Sequence, residues 1–92
     1  MRKNLVANEL LKSNIALVGG GRFCKGLLEL LYSDVFEDQR PLVLGVADKD
    51  EKAEGFVYAG QKGIFTTHDY KALFELEHLD AIMELTTDER LS

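Results

Sequence analysis

The sequence predicts an α/β fold: an open parallel sheet of four strands in the order 3-2-1-4, with flanking helices. Three observations carry that expectation. Short, unbroken apolar runs recur along the chain, the pattern of strands that a parallel sheet buries on both faces. Segments with helical spacing lie between them, and such alternation demands right-handed crossovers between parallel strands. Finally, three successive glycines, Gly19, Gly20 and Gly21, join the first apolar run to the first helical segment, where the backbone must turn sharply.

The elements follow in order. Residues 4–12 are predicted as a short helix with Leu5, Val6 and Leu10 on one side, so residues 1–13 read as a helical extension and 14–92 as one α/β domain. "IALV", residues 15–18, is the first strand. From about Arg22 to Tyr32, the residues Phe23, Leu27, Leu30 and Leu31 recur at the spacing of a helix packed on a sheet. The polar stretch "SDVFEDQR" reads as a surface connection. Pro41 opens the second strand, "PLVLGVAD", a position where proline is tolerated. "DEKAEGFVYAGQKG" is weakly helical, with Gly63 as its stop. "IFT" is a short third strand. Thr66 and Asp69 are spaced like a capping box ahead of a helix carrying Tyr70, Leu73 and Phe74. "LDAIMELT" is the fourth strand.

Composition narrows the functions. The chain has 92 residues, 46% hydrophobic and 29% charged, the profile of one soluble folded domain rather than a disordered segment. Its formal net charge of −5 argues against nucleic acid as a partner, which would require a clustered basic face. A single cysteine, Cys24, excludes an internal disulfide and a multi-cysteine metal site. No apolar run approaches the ~18–20 residues that span a bilayer, and the start lacks the features of a secretory signal. A cytoplasmic domain without membrane insertion is expected.

The glycine turn carries the chemistry. Glycines at a strand–helix junction let an anion approach the main chain, and the helix start offers it unpaired N–H groups and a partial positive charge. In the spacing G-x-G-x-x-G, Gly19 and Gly21 take the first two places and Cys24 the third, with Gly20, Arg22 and Phe23 between them. Asp48 ends the second strand 24 positions beyond Cys24, close to the ~20 expected of a carboxylate that accepts from ribose hydroxyls. Such an acid repels a 2′-phosphate and favours NAD over NADP, a preference that the neighbouring Lys49 tempers. Thr86 and Thr87 follow the fourth strand, beside the first across the point where strand order reverses, and their hydroxyls either reach a phosphate or ribose or belong to an ordinary turn. The candidate cofactor-binding set is therefore Gly19 through Cys24, Asp48, Lys49, Thr86 and Thr87.

Glu84 sits within an apolar strand, where it either points into the crevice or, the preferred reading at a strand's end, is solvated. His68 and His78 are read as surface residues, and Cys24, with no base placed to activate it, as structural. No set of residues suggests catalysis or metal binding.

The segments "VGGGRFCKG", "GVADKD", "GIFTTHDYKALFE" and "LDAIMELTTDE" are similar to the N-terminal nucleotide-binding segments of homoserine dehydrogenases and of the glucose-fructose oxidoreductase/inositol dehydrogenase superfamily. Over nearly the whole chain after Asn14, the sequence more closely resembles the Rossmann-like domain at the N-terminus of certain bacterial sensor histidine kinases, ahead of PAS and kinase modules. Cys24 with Lys25, the "GVAD" strand end and the "ELT" strand end carry that likeness. Thr87 departs from it, standing where those domains usually have glycine, and the chain holds no phosphoacceptor or ATP-binding motif. The resemblance implies a sensory input domain that binds a dinucleotide or other adenine nucleotide. The alternatives are the cofactor-binding piece of a dehydrogenase and a Rossmann-shaped dimerisation module without cofactor. Four strands are fewer than the six of the full fold and leave the fourth as an edge. A homodimer through that edge or the N-terminal helix is expected.

Overall fold

Ile15, Ala16 and Leu17 are buried on both faces, as a central strand of a parallel sheet requires. They belong to β1 (Asn14–Val18), the middle of the architecture in a computed structural model that describes residues 12–33 and 41–85. On one side β1 pairs in parallel with β2 (Leu42–Ala47), and on the other with β4 (Ala81–Glu84). β3 (Phe65–Thr67) extends the sheet beyond β2, giving four strands in the order β3-β2-β1-β4. This is the predicted α/β sheet. The predicted N-terminal helix and both Thr86 and Thr87 lie outside the described residues.

Register decides where the loops emerge. Val18 stands beside Ala47 and beside Glu84, so the residues after β1 and β2 leave the same edge together. At the other end, the Asn14 amide donates to the Asp80 carboxylate (2.7 Å), the Asp80 amide to the Asn14 carbonyl (2.8 Å) and the Asn14 side chain to the His78 carbonyl (2.9 Å). This clamp fixes the start of β4 against β1.

Two helices, α1 (Arg22–Leu31) and α2 (Glu54–Gln61), cover one face, where Leu28, Leu31 and Ala59 pack with Ile15, Leu17, Val43 and Val46. The other face is thinner. A 3₁₀ helix, Tyr70–Glu75, sets Leu73 against Ala16 and Ala47 there.

Three details differ from the sequence expectation. The buried stripe of α1 is Cys24, Leu28 and Leu31, whereas Phe23 and Leu30 are 59% and 49% exposed. The apolar arc of the helix is one wide band, with Leu30 and Phe23 at one margin and Leu28 at the other, and the core takes the Cys24, Leu28 and Leu31 side of it. The third helical segment is 3₁₀, not α, and its cap is Asp69, whose side chain accepts from the Lys71 amide (3.0 Å). Thr66 is no cap: it lies in β3, paired with Val46. β3 is also one residue later than "IFT". Among the described residues, no helix is long and apolar enough to cross a membrane.

Candidate functional site

The three glycines leave β1 at its carboxyl end. Gly19 has φ +107°, a conformation that L side chains rarely adopt, and its N–H still donates to the Ala47 carbonyl (2.8 Å). The Gly20 amide then donates to Asp48 Oδ2 at 2.6 Å. A Cβ on Gly20 would sit 3.1 Å from Phe56 Cβ and 3.2 Å from Asp48 Cβ, so any side chain here requires Phe56 and Asp48 to give by a few tenths of an ångström.

The carbonyls of the bend point toward α2. Gly20 O accepts from the Phe56 amide (2.8 Å), and Gly21 O accepts from the amides of Gly55 and Lys25 (both 3.1 Å). In a trans peptide the N–H lies opposite the carbonyl of the same unit. The Gly21 and Arg22 amides therefore point away from α2. Among the described residues, nothing accepts from the amides of Gly21, Arg22, Phe23 or Cys24. Gly21 caps α1 without a side chain, and no acid occupies the first turn of that helix. The helix start thus keeps its partial positive charge for an outside anion. Space exists for one, because a Cβ at Gly21 would meet no atom within 4 Å.

Asp48 ties the bend to the end of β2. Its Oδ1 accepts from the Asp50 amide (2.8 Å) and its Oδ2 from Gly20. A carboxylate offers about four lone-pair positions, so two remain for ligand hydroxyls. Asp48 and Gly19 line a cleft of about 390 Å³ together with Lys49, Asp50, His68 and Tyr70. The amides of Gly21 and Arg22 are not part of the cleft's lining, which takes only Gly19 from the bend.

The other predicted residues are dispersed. Arg22 is exposed, 3.6 Å from Glu54. Phe23 is exposed at the helix start and does not line the cleft. Cys24 is buried in the core, and that burial, followed by the nearby Asp48 charge, pushes its thiol up to about 11, which suppresses the thiolate. Its neighbour across the helix pair is Gly55, where a Cβ would fall 2.7 Å from Cys24 Cβ and 2.8 Å from its Sγ. Gly55 thus lets α2 approach α1 closely at Cys24. Glu84 is exposed at the end of β4. Among the described residues, no group of three His, Cys, Asp or Glu side chains is placed to hold a metal ion.

Sequence reasoning missed the polar and aromatic cleft residues Asp50, His68 and Tyr70. His68 is a surface residue as expected, and its ring lies against three neighbours. Its ring stacks on Phe56 (5.3 Å, 15°), Nδ1 lies 3.3 Å from the Asp48 carbonyl oxygen, and Nε2 lies 3.6 Å from Glu51 Oε1. Tyr70, read as part of a helical stripe, is 51% exposed and lines the same cleft. The available signal was position: Asp50 follows β2, and His68 and Tyr70 follow β3, all at the carboxyl edge of the sheet, where open α/β folds bind ligands.

Compared with protein-family models, curated proteins and solved structures, the chain matches none.

Proposed function

We propose that this chain is a nucleotide-binding domain, with NAD(H) as its favoured ligand, serving as the regulatory input of a signal-transduction protein. The observation that supports this most is the Gly20–Asp48 hydrogen bond, which joins the phosphate turn and the ribose acid into one edge of the sheet. In this reading, the outward amides of Gly21 and Arg22 hold the ligand's phosphates. Asp48 uses its remaining lone pairs for the ribose hydroxyls and rejects a 2′-phosphate, with Asp50 beside it adding negative charge. Ligand binding is then felt by α2, because its first amides grip the carbonyls of the same bend. The regulatory role, and the PAS and kinase modules it would serve, rest on the motif likeness to sensor kinase input domains.

A second reading has its own support. Both Asp48 oxygens already have backbone donors, and β4 is an edge of the described sheet, as a dimerisation module without cofactor would have it. Calorimetry with NAD, NADH, NADP and ADP separates the two. Binding of NAD at or below millimolar concentration is expected, and heatless titrations with all four would sink the nucleotide reading. Light scattering tests the proposed homodimer independently.

A further inference from the structure

Independently of the nucleotide reading, we infer that a separate cleft at the opposite end of the sheet binds a small aromatic carboxylate, with Lys62 pairing with its anionic group. This cleft is lined from the amino ends of β2 and β3 and from the carboxyl ends of α1 and α2, and its volume is about 550 Å³. That lies within the ~300–1,000 Å³ range of small-molecule sites, which combine apolar walls with a few polar groups that fix orientation. This cleft has both.

The walls are aliphatic and aromatic. Leu28 and Val43 are buried, so part of the lining is the core itself. Leu42 and Phe65 add apolar surface that is about half exposed. The Tyr32 ring is anchored, because its hydroxyl accepts from the Val43 amide (3.1 Å). With Tyr58 and Phe65 it offers a flat ligand aromatic neighbours. No Asp or Glu lines this cleft, although the chain carries a net charge of −5. Its charged group is Lys62, whose ammonium lies 5.4 Å from the centre of the Tyr58 ring. Among the described residues, no carboxylate pairs with that ammonium. Nor do the last carbonyls of α2 require it. Those of Tyr58, Ala59 and Gly60 already accept from the amides of Lys62, Ile64 and Gly63 (2.9–3.1 Å). A cation without a counter-ion, held over a tyrosine in an acid-free apolar cleft, is the complement of an anion carried on an aromatic body.

The test follows the backbone amide resonances of the full chain by NMR during titration with cinnamate and with its neutral counterpart, cinnamamide. Cinnamate is expected to bind at or below millimolar concentration, to shift the amides of Leu44, Gly63 and Ile64, and to leave those of the glycine bend in place. It should bind more tightly than cinnamamide, by a margin that added salt narrows. Lys62→Gln alters an exposed side chain, so the fold and its spectrum should persist. This variant is expected to weaken cinnamate about threefold or more and to leave cinnamamide unchanged. No shift at those three amides with millimolar cinnamate, equal affinity for acid and amide, or cinnamate affinity indifferent to Lys62→Gln overturns the inference. Each of these results leaves the nucleotide reading untouched, since that reading is decided by NAD at the other end of the sheet.

Discussion

The carboxylate of Asp48 accepts a 2.6 Å hydrogen bond from the amide of Gly20, across 28 positions of sequence. One side chain thereby fixes the glycine bend and lines the cleft. Replacing it tests structure and ligand binding together. In Asp48→Asn only one of the two terminal atoms accepts, so either the Gly20 or the Asp50 amide loses its partner. Denaturant unfolding should show a loss of about 1–3 kcal/mol. Calorimetry should show at least about tenfold weaker NAD binding and a narrower margin over NADP. Unchanged NAD affinity would remove Asp48 from the ribose role.

Neighbouring glycines should respond in opposite ways. Gly20→Ala places a Cβ 3.1 Å from Phe56 and is expected to destabilise by about 1–3 kcal/mol. Gly21→Leu meets open space and has ordinary φ (−83°), so thermal unfolding should move little while nucleotide binding is lost. A Gly21→Leu variant that binds as wild type would mean that no phosphate sits there.

The contact between α1 and α2 is tight at Gly55. Gly55→Ala drives a Cβ to 2.7 Å from Cys24 and 2.8 Å from the Gly21 carbonyl, so it should be the most damaging of these substitutions. Adding Cys24→Gly removes the first clash and leaves the second, so the double variant should regain part of the stability. A double-mutant cycle showing strict additivity would contradict direct packing of the two residues.

Alkali should expose the burial of Cys24. Below pH 9 its thiol is protonated in both folded and unfolded chains. Between the ordinary value of 9.0 and the raised value of about 11, the unfolded thiol ionises and the folded one does not, so stability falls across that window and levels above it. At about 1.4 kcal/mol per pH unit the loss amounts to roughly 2–3 kcal/mol. Unfolding of wild type and Cys24→Ala from pH 8 to 11 isolates it. Parallel curves would show that the thiol ionises freely.

The sheet was legible because unbroken apolar runs such as "IALV" and "LVLGVA" leave a strand no solvated face, and strand–helix alternation then fixes direction and order. Asp48 was legible by its place after β2. The rotation of α1 was not, since Phe23, Cys24, Leu27, Leu28, Leu30 and Leu31 form one apolar arc wider than the core covers, and which margin is buried depends on distant partners, among them Gly55 against Cys24. Nor was the cap at Asp69. The strand runs on through Thr67, whose hydroxyl accepts from the Asp69 amide (3.1 Å), and this displaces the helix start from the spacing that local pattern suggests. His68 and Tyr70 were hidden for a related reason: their value comes from what β2 brings alongside.

The clamp at the foot of the sheet bears on how the protein is made. Asn14 and Asp80 stand 66 positions apart, yet each completes the other's hydrogen bonds. During synthesis the central strand emerges early and waits, one flank open, until its last neighbour has cleared the ribosome. Nascent chains stalled before that point should be sensitive to proteases and prone to pairing with one another.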